Sequence, residues 1–128
     1  MKTGLKYIKT ILLIFIFCRA SFDIYAQKTT EIYIPVGKSP GVSGKYSLMG
    51  RVEAVNMNDS TITIKQDAGS TTTVKITAWC AIYLDKSKLK LSNKKGYCAD
   101  IKQGMKAEAK YKDNKPGGLI EWLKVQLE

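Results

Sequence analysis

The chain has 128 residues, 21 of them basic and 11 acidic, with three cysteines and no histidine. That length suits a single domain, and the missing histidine removes the usual general base and a common metal ligand. The net charge of +10 favours anionic partners: an envelope surface, an acidic polysaccharide, nucleic acid or an acidic protein.

The first 26 residues read as a cleavable signal peptide. Lys2, Lys6 and Lys9 make a positive start, and Ile11–Cys18 is an uncharged apolar run. The run is far shorter than the ~20 apolar residues of a membrane-spanning helix. Arg19 and Asp23 interrupt it, and Ile24-Tyr25-Ala26 precedes the expected cleavage site after Ala26. Bulky Phe17 before Cys18 argues against lipid attachment. The expected location is therefore periplasmic or secreted. Cleavage takes four of the 21 basic residues and one of the 11 acidic ones, leaving a net +7. It also leaves one cysteine pair, Cys80 and Cys98. An even pair in an oxidising compartment predicts a disulfide, closing a loop that contributes about 3 kcal/mol in the chain-entropy account.

Residues 27–45 form an extended Pro/Gly-rich lead-in, within which Glu31–Ile34 suits a short edge strand. Pro35, Gly37, Pro40, Gly41 and Gly44 then punctuate the chain as turns. Gly37-Lys38-Ser39 lacks the glycine five positions earlier that a phosphate loop needs; Ile32 stands there. A turn that lays this segment over the domain is the better reading.

From Tyr46 onward apolar residues alternate with period two, which predicts half-buried strands. The first runs over 46–56, with Gly50 and the spacing of Val52 and Val55 suggesting a bulge. The second covers 61–66 and the third 71–84, continuing or restarting at Trp79. A lysine-rich connection (85–96) leads to one helical turn over 97–104, ending at Gly104. The fourth strand, 105–112, sets Met105, Ala107, Ala109 and Tyr111 against Lys106, Glu108, Lys110 and Lys112. A loop over 113–118 precedes a mostly apolar central strand, 119–127. Five strands, with the longest connection between the third and fourth, predict an all-β, OB-like Greek-key barrel over 46–128. A small β-sandwich is the runner-up.

Gly50-Arg51-Val52-Glu53-Ala54-Val55, the hairpin around Ile62-Ile64 and Val74-Ile76, Asp100-Ile101-Lys102-Gln103-Gly104 and the apolar positions Trp122, Val125 and Leu127 together resemble exported bacterial OB-like domains of unknown function. The resemblance covers roughly residues 46–128 and implies a small β-barrel. It brings no catalytic residues with it, and the cysteine pair and the Pro/Gly lead-in depart from its pattern.

No constellation predicts catalysis. The acids are scattered, several of them in turns (Asp59, Asp67, Asp113), and the serines have no histidine for a base. We therefore expect no enzymatic activity and no cofactor. In overall plan the chain also resembles periplasmic copper- and silver-binding OB proteins, and Met49, Met57, Met105, Trp79 and Trp122 supply soft or aromatic groups. No metal site is expected, because the methionines read as core and turn residues. Outward positions of the second and third strands carry threonine and lysine without stacking rings, which disfavours nucleic acid. The strongest binding signal is the basic loop of Lys86, Lys88, Lys90, Lys94 and Lys95, flanked by Tyr83 and Tyr97. The leading expectation is a non-catalytic binding module of the cell envelope that meets an anionic polymer or protein through this loop. The alternative is a carrier of a small ligand or a soft metal.

Overall fold

The computed structural model describes residues 30–128. The expected signal peptide, 1–26, lies outside them. Seven strands form one mixed sheet: β1 (Ser47–Asn56), β2 (Thr61–Lys65), β3 (Thr71–Lys75), β4 (Ala81–Asp85), β5 (Lys94–Lys95), β6 (Lys106–Tyr111) and β7 (Ile120–Gln126). Their order is β3-β2-β1-β6-β7-β4-β5. All pairings are antiparallel except β4 with β7. Among the described residues the remaining regular structure is 3-10 turns.

The architecture is all-β, as period two requires, but it has seven strands rather than five. The expected third strand is two: its hydrogen-bonded ladder with β2 stops at Lys75, and the chain crosses a turn closed by Cys80 N–H donating to Thr77 O at 3.1 Å. It re-enters the sheet as β4 beside β7. The lysine-rich connection adds a two-residue edge strand, with Lys95 opposite Tyr83 and Lys94 opposite Leu84. No ladder joins the edge strands β3 and β5, so the sheet is not closed by hydrogen bonds. The bulge is present in β1, where the register with β2 shifts between Val52 and Ala54. Gly50 beside it is required: a Cβ there would stand 2.1 Å from Lys65 O, so any side chain would push β2 away.

The core gathers the inward positions of these strands, among them Val52, Ile62, Ile64, Ala107, Leu123 and Val125. Ile101 seals one side from the 3-10 turn at Cys98–Asp100. The chain leaves that turn through Gly104, at φ +90°, which L side chains rarely adopt.

The lead-in differs from expectation at its start: Glu31–Tyr33 is a 3-10 turn, not an edge strand. Beyond it, residues 35–45 form a strap over the outward face of β4, β6 and β7. Val36 and Ser39 are buried. Val36 N–H donates to Asp85 Oδ2 (2.9 Å) and Gly37 N–H to Glu108 Oε1 (3.1 Å). Lys124 Nζ donates to Ser39 Oγ at 2.9 Å and stands 4.4 Å from the Trp122 ring centre. Glu108 and Lys124 are direct cross-strand neighbours, at 0% and 1% exposure. A charge taken from water is tolerated only where hydrogen bonds replace its hydration, and the strap supplies them.

The expected disulfide is not formed: Cys80 and Cys98 are free thiols, both half-buried against the core. Counting cysteines predicts which two meet, but proximity is not a bond. Burial, then the neighbouring Cys98, pushes the Cys80 thiol up to about 12. A thiol held protonated is a poor nucleophile for disulfide formation. Cys80 Sγ instead contacts Ala81 O at 3.6 Å.

Candidate anion-binding cleft

The five loop lysines do not converge. Lys86 is half-buried and its backbone N–H is held by Asn93 Oδ1 at 2.7 Å. Lys90 ends the 3-10 turn Ser87–Leu89 in the left-handed region, at φ 57°. Lys94 and Lys95 occupy the outermost strand. Of the five, Lys88 joins other cations, in a cleft beside the strap.

That cleft is built from five parts of the chain. The strap contributes Lys38, β1 contributes Arg51, the 3-10 turn after β4 contributes Lys88, and β6 contributes Lys106. Asp67, from the β2–β3 turn, is the single acidic residue of the lining. The cleft has a volume of about 410 Å³ and is open to solvent, within the size range of ligand sites.

Two of its cations, Arg51 and Lys106, belong to a row of like charges. Arg51 pairs in register with Lys65 of β2 on one side and with Lys106 of β6 on the other. Cross-strand partners share a face, and Val52, Ile64 and Ala107 next to them point into the core. The three cations therefore stand side by side on the outer face, all exposed. Like charges directly opposite each other destabilise a sheet. Arg51 Nη1 donates to Gly104 O at 2.9 Å, which fixes its direction. An acid does reach the group: Glu128 Oε1 lies 3.3 Å from Lys88 Nζ and 3.8 Å from Arg51 Nη1.

Sequence reasoning missed Lys38, Arg51, Lys65 and Lys106. Each was legible as an outward residue, but their meeting depends on pairing register across three strands. Gly37-Lys38-Ser39 belongs to the strap. Its Gly37 N–H is spent on Glu108 and its Ser39 hydroxyl on Lys124, so this backbone does not present a phosphate cradle.

A second, much smaller cleft of about 20 Å³ opens between the end of β1 and the 3-10 turn at Cys98. Its lining includes Val55, Met57, Ile62, Ile76, Cys98 and Ile101. The soft groups do not gather there as a set. Met105 Sδ accepts from Lys102 N–H at 3.4 Å, Met49 packs beside Gly37, and Trp122 is buried under Lys124. Among the described residues no three His, Cys, Asp or Glu side chains are grouped to hold a metal, and no helix is long and apolar enough to cross a membrane. No protein-family model, no curated protein and no solved structure matches the chain.

Proposed function

We propose that this chain is an exported, non-catalytic binding module of the cell envelope, and that it meets an anionic partner through the cleft of Lys38, Arg51, Lys88 and Lys106. The observation that carries this reading is the in-register row Lys65–Arg51–Lys106. Folding gains nothing from placing three cations side by side, so the arrangement is best explained by an external anion. The basic loop is a poorer candidate, because only Lys88 of its five lysines reaches the cleft. The short apolar run of residues 11–18 supports export, with a periplasmic or secreted location. Within the all-β class the OB-like barrel remains our reading. Its support is the meander β1-β2-β3, the pairing of β1 with β6, and the parallel approach of β4 to β7.

The test is titration of the protein with a soluble polyanion at low and high salt. Arg51→Ala and Lys106→Ala should each weaken binding, and salt should weaken it further, whereas Lys94→Ala and Lys95→Ala should change it little. Equal losses from both pairs would return the site to the loop. Fractionation of cells expressing the full chain tests export: the protein should appear outside the cytosol and shortened by its first 26 residues.

A second reading, a carrier of a small apolar ligand or soft metal, draws on the smaller cleft, where Met57 and Cys98 line an apolar wall. Under that reading Ag(I) protects Cys98 from alkylation and quenches Trp79, which is 93% exposed.

A further inference from the structure

The contact of Glu128 with the cleft cations says more about the ligand, on the assumption that the cleft binds an anion at all. One carboxylate already lies between Lys88 and Arg51, at 3.3 Å and 3.8 Å. It belongs to the chain itself, and all three side chains are more than half exposed. An exposed ion pair of this kind is weak and readily exchanged. We infer that Glu128, itself outside the lining, is an internal occupant of two of the cleft's cations, and that the ligand which displaces it is an acidic peptide segment of another protein, presenting glutamate or aspartate side chains to Arg51, Lys88 and Lys106.

Three features of the lining select a peptide over other polyanions. First, the group already held there is a glutamate side chain. Second, the lining contains no aromatic ring, and bases of a single strand need such rings to stack on. Third, half-buried Met49 lines the same space, offering apolar surface to the methylene stems that carry peptide carboxylates. Spacing agrees. Alternate side chains of an extended peptide stand about 7 Å apart, within the roughly 10 Å spanned by three adjacent strands. Asp67, also in the lining, faces the same space and repels excess negative charge, which favours a segment of a few acids over a dense polyanion.

The experiment measures binding of a fluorescent peptide carrying three glutamates at alternate positions to the protein at low salt. A polyuronate oligosaccharide and a single-stranded oligonucleotide serve as competing probes. Glu128→Gln should tighten peptide binding about two- to five-fold, the range an exposed pair allows. Asp59→Asn removes the same charge from the turn at the far end of β1, where Asp59 contacts Asn56, and should leave affinity within about two-fold. Arg51→Ala should weaken binding in every background. A Glu128→Gln effect no larger than that of Asp59→Asn overturns the internal-occupant claim. So does tighter binding of the polyuronate or the oligonucleotide than of the peptide. In both cases the anion cleft itself survives. If no probe binds, or if Arg51→Ala leaves binding intact, the cleft reading fails along with the inference.

Discussion

Lys106 and Glu108 stand two residues apart on β6, on the same outward face, and meet opposite fates. Glu108 lies under the strap, fully buried, with Gly37 N–H at 3.1 Å and the Ser47 hydroxyl at 2.6 Å. Lys106 lies in the open, beside Arg51 and in the lining of the cleft. The same alternation of residue types thus produces a closed polar layer at one end of the strand and an exposed charged floor at the other. What separates them is whether the chain's own lead-in covers the face. Where it does, every charge sits beside a donor or an opposite charge. Where it does not, like charges are left adjacent.

This contrast predicts unequal costs for similar substitutions. Lys124→Ala should be the most damaging, because it removes the positive charge across the ladder from buried Glu108. It also strips Ser39 Oγ of its donor and the Trp122 ring of its cover; losing a fully buried, hydrogen-bonded side chain costs about 2 kcal/mol or more, which a denaturant melt would detect as a large fall in midpoint. Lys106→Ala, a lysine removed from the same sheet face, should stay within about 0.5 kcal/mol of wild type. Equal losses would erase the distinction between the two regions.

A pH titration sharpens it. Burial raises the Asp85 pKa, but hydrogen bonds from Ser87, Val36 and Gln126 outweigh that penalty and hold the carboxyl below its ordinary value. A group depressed on folding stabilises the protein above its unfolded pKa, about 3.9 for aspartate. That contribution is lost as pH falls through the lower folded value. Wild-type stability should therefore drop below about pH 4. Asp85→Asn should lower stability at neutral pH and flatten the drop. A drop of unchanged size in Asp85→Asn would remove the strap clasp as its origin.

The smallest effects belong to the open region. The double substitution Arg51→Ala, Lys106→Ala relieves like-charge pairing, so stability should hold or rise by a few tenths of a kcal/mol. Cys80 lies outside both regions and should alkylate slowly at pH 8, because its thiol is held at about 12. Fast labelling of Cys80 would argue against its burial.

Much of the fold was legible because period two is a local signal. The boundaries of β1, β2, β6 and β7 lie within a residue or so of the alternation in the sequence. The bulge next to Gly50 was legible too, since only glycine tolerates the close approach of Lys65 O. Burial of Glu108 and Lys124 was not legible, because it depends on a strap some 70 or more residues distant in sequence that reads only as turns. The split of the third strand was only half legible, for a related reason. Ile76 through Leu84 is apolar enough to continue a strand, and only the change of pairing partner from β2 to β7 ends it. The cleft was the least legible feature, because Arg51, Lys65 and Lys106 are ordinary outward residues until register places them side by side.

The most direct test of the central claim is amide chemical-shift mapping of the protein titrated with a soluble polyanion. The account predicts that perturbations concentrate at Lys38, Gly50, Arg51, Lys65, Lys88 and Lys106, and vanish in the Arg51→Ala, Lys106→Ala double variant. Perturbations centred on Lys90, Lys94 and Lys95, or shifts that persist in the double variant, would contradict it.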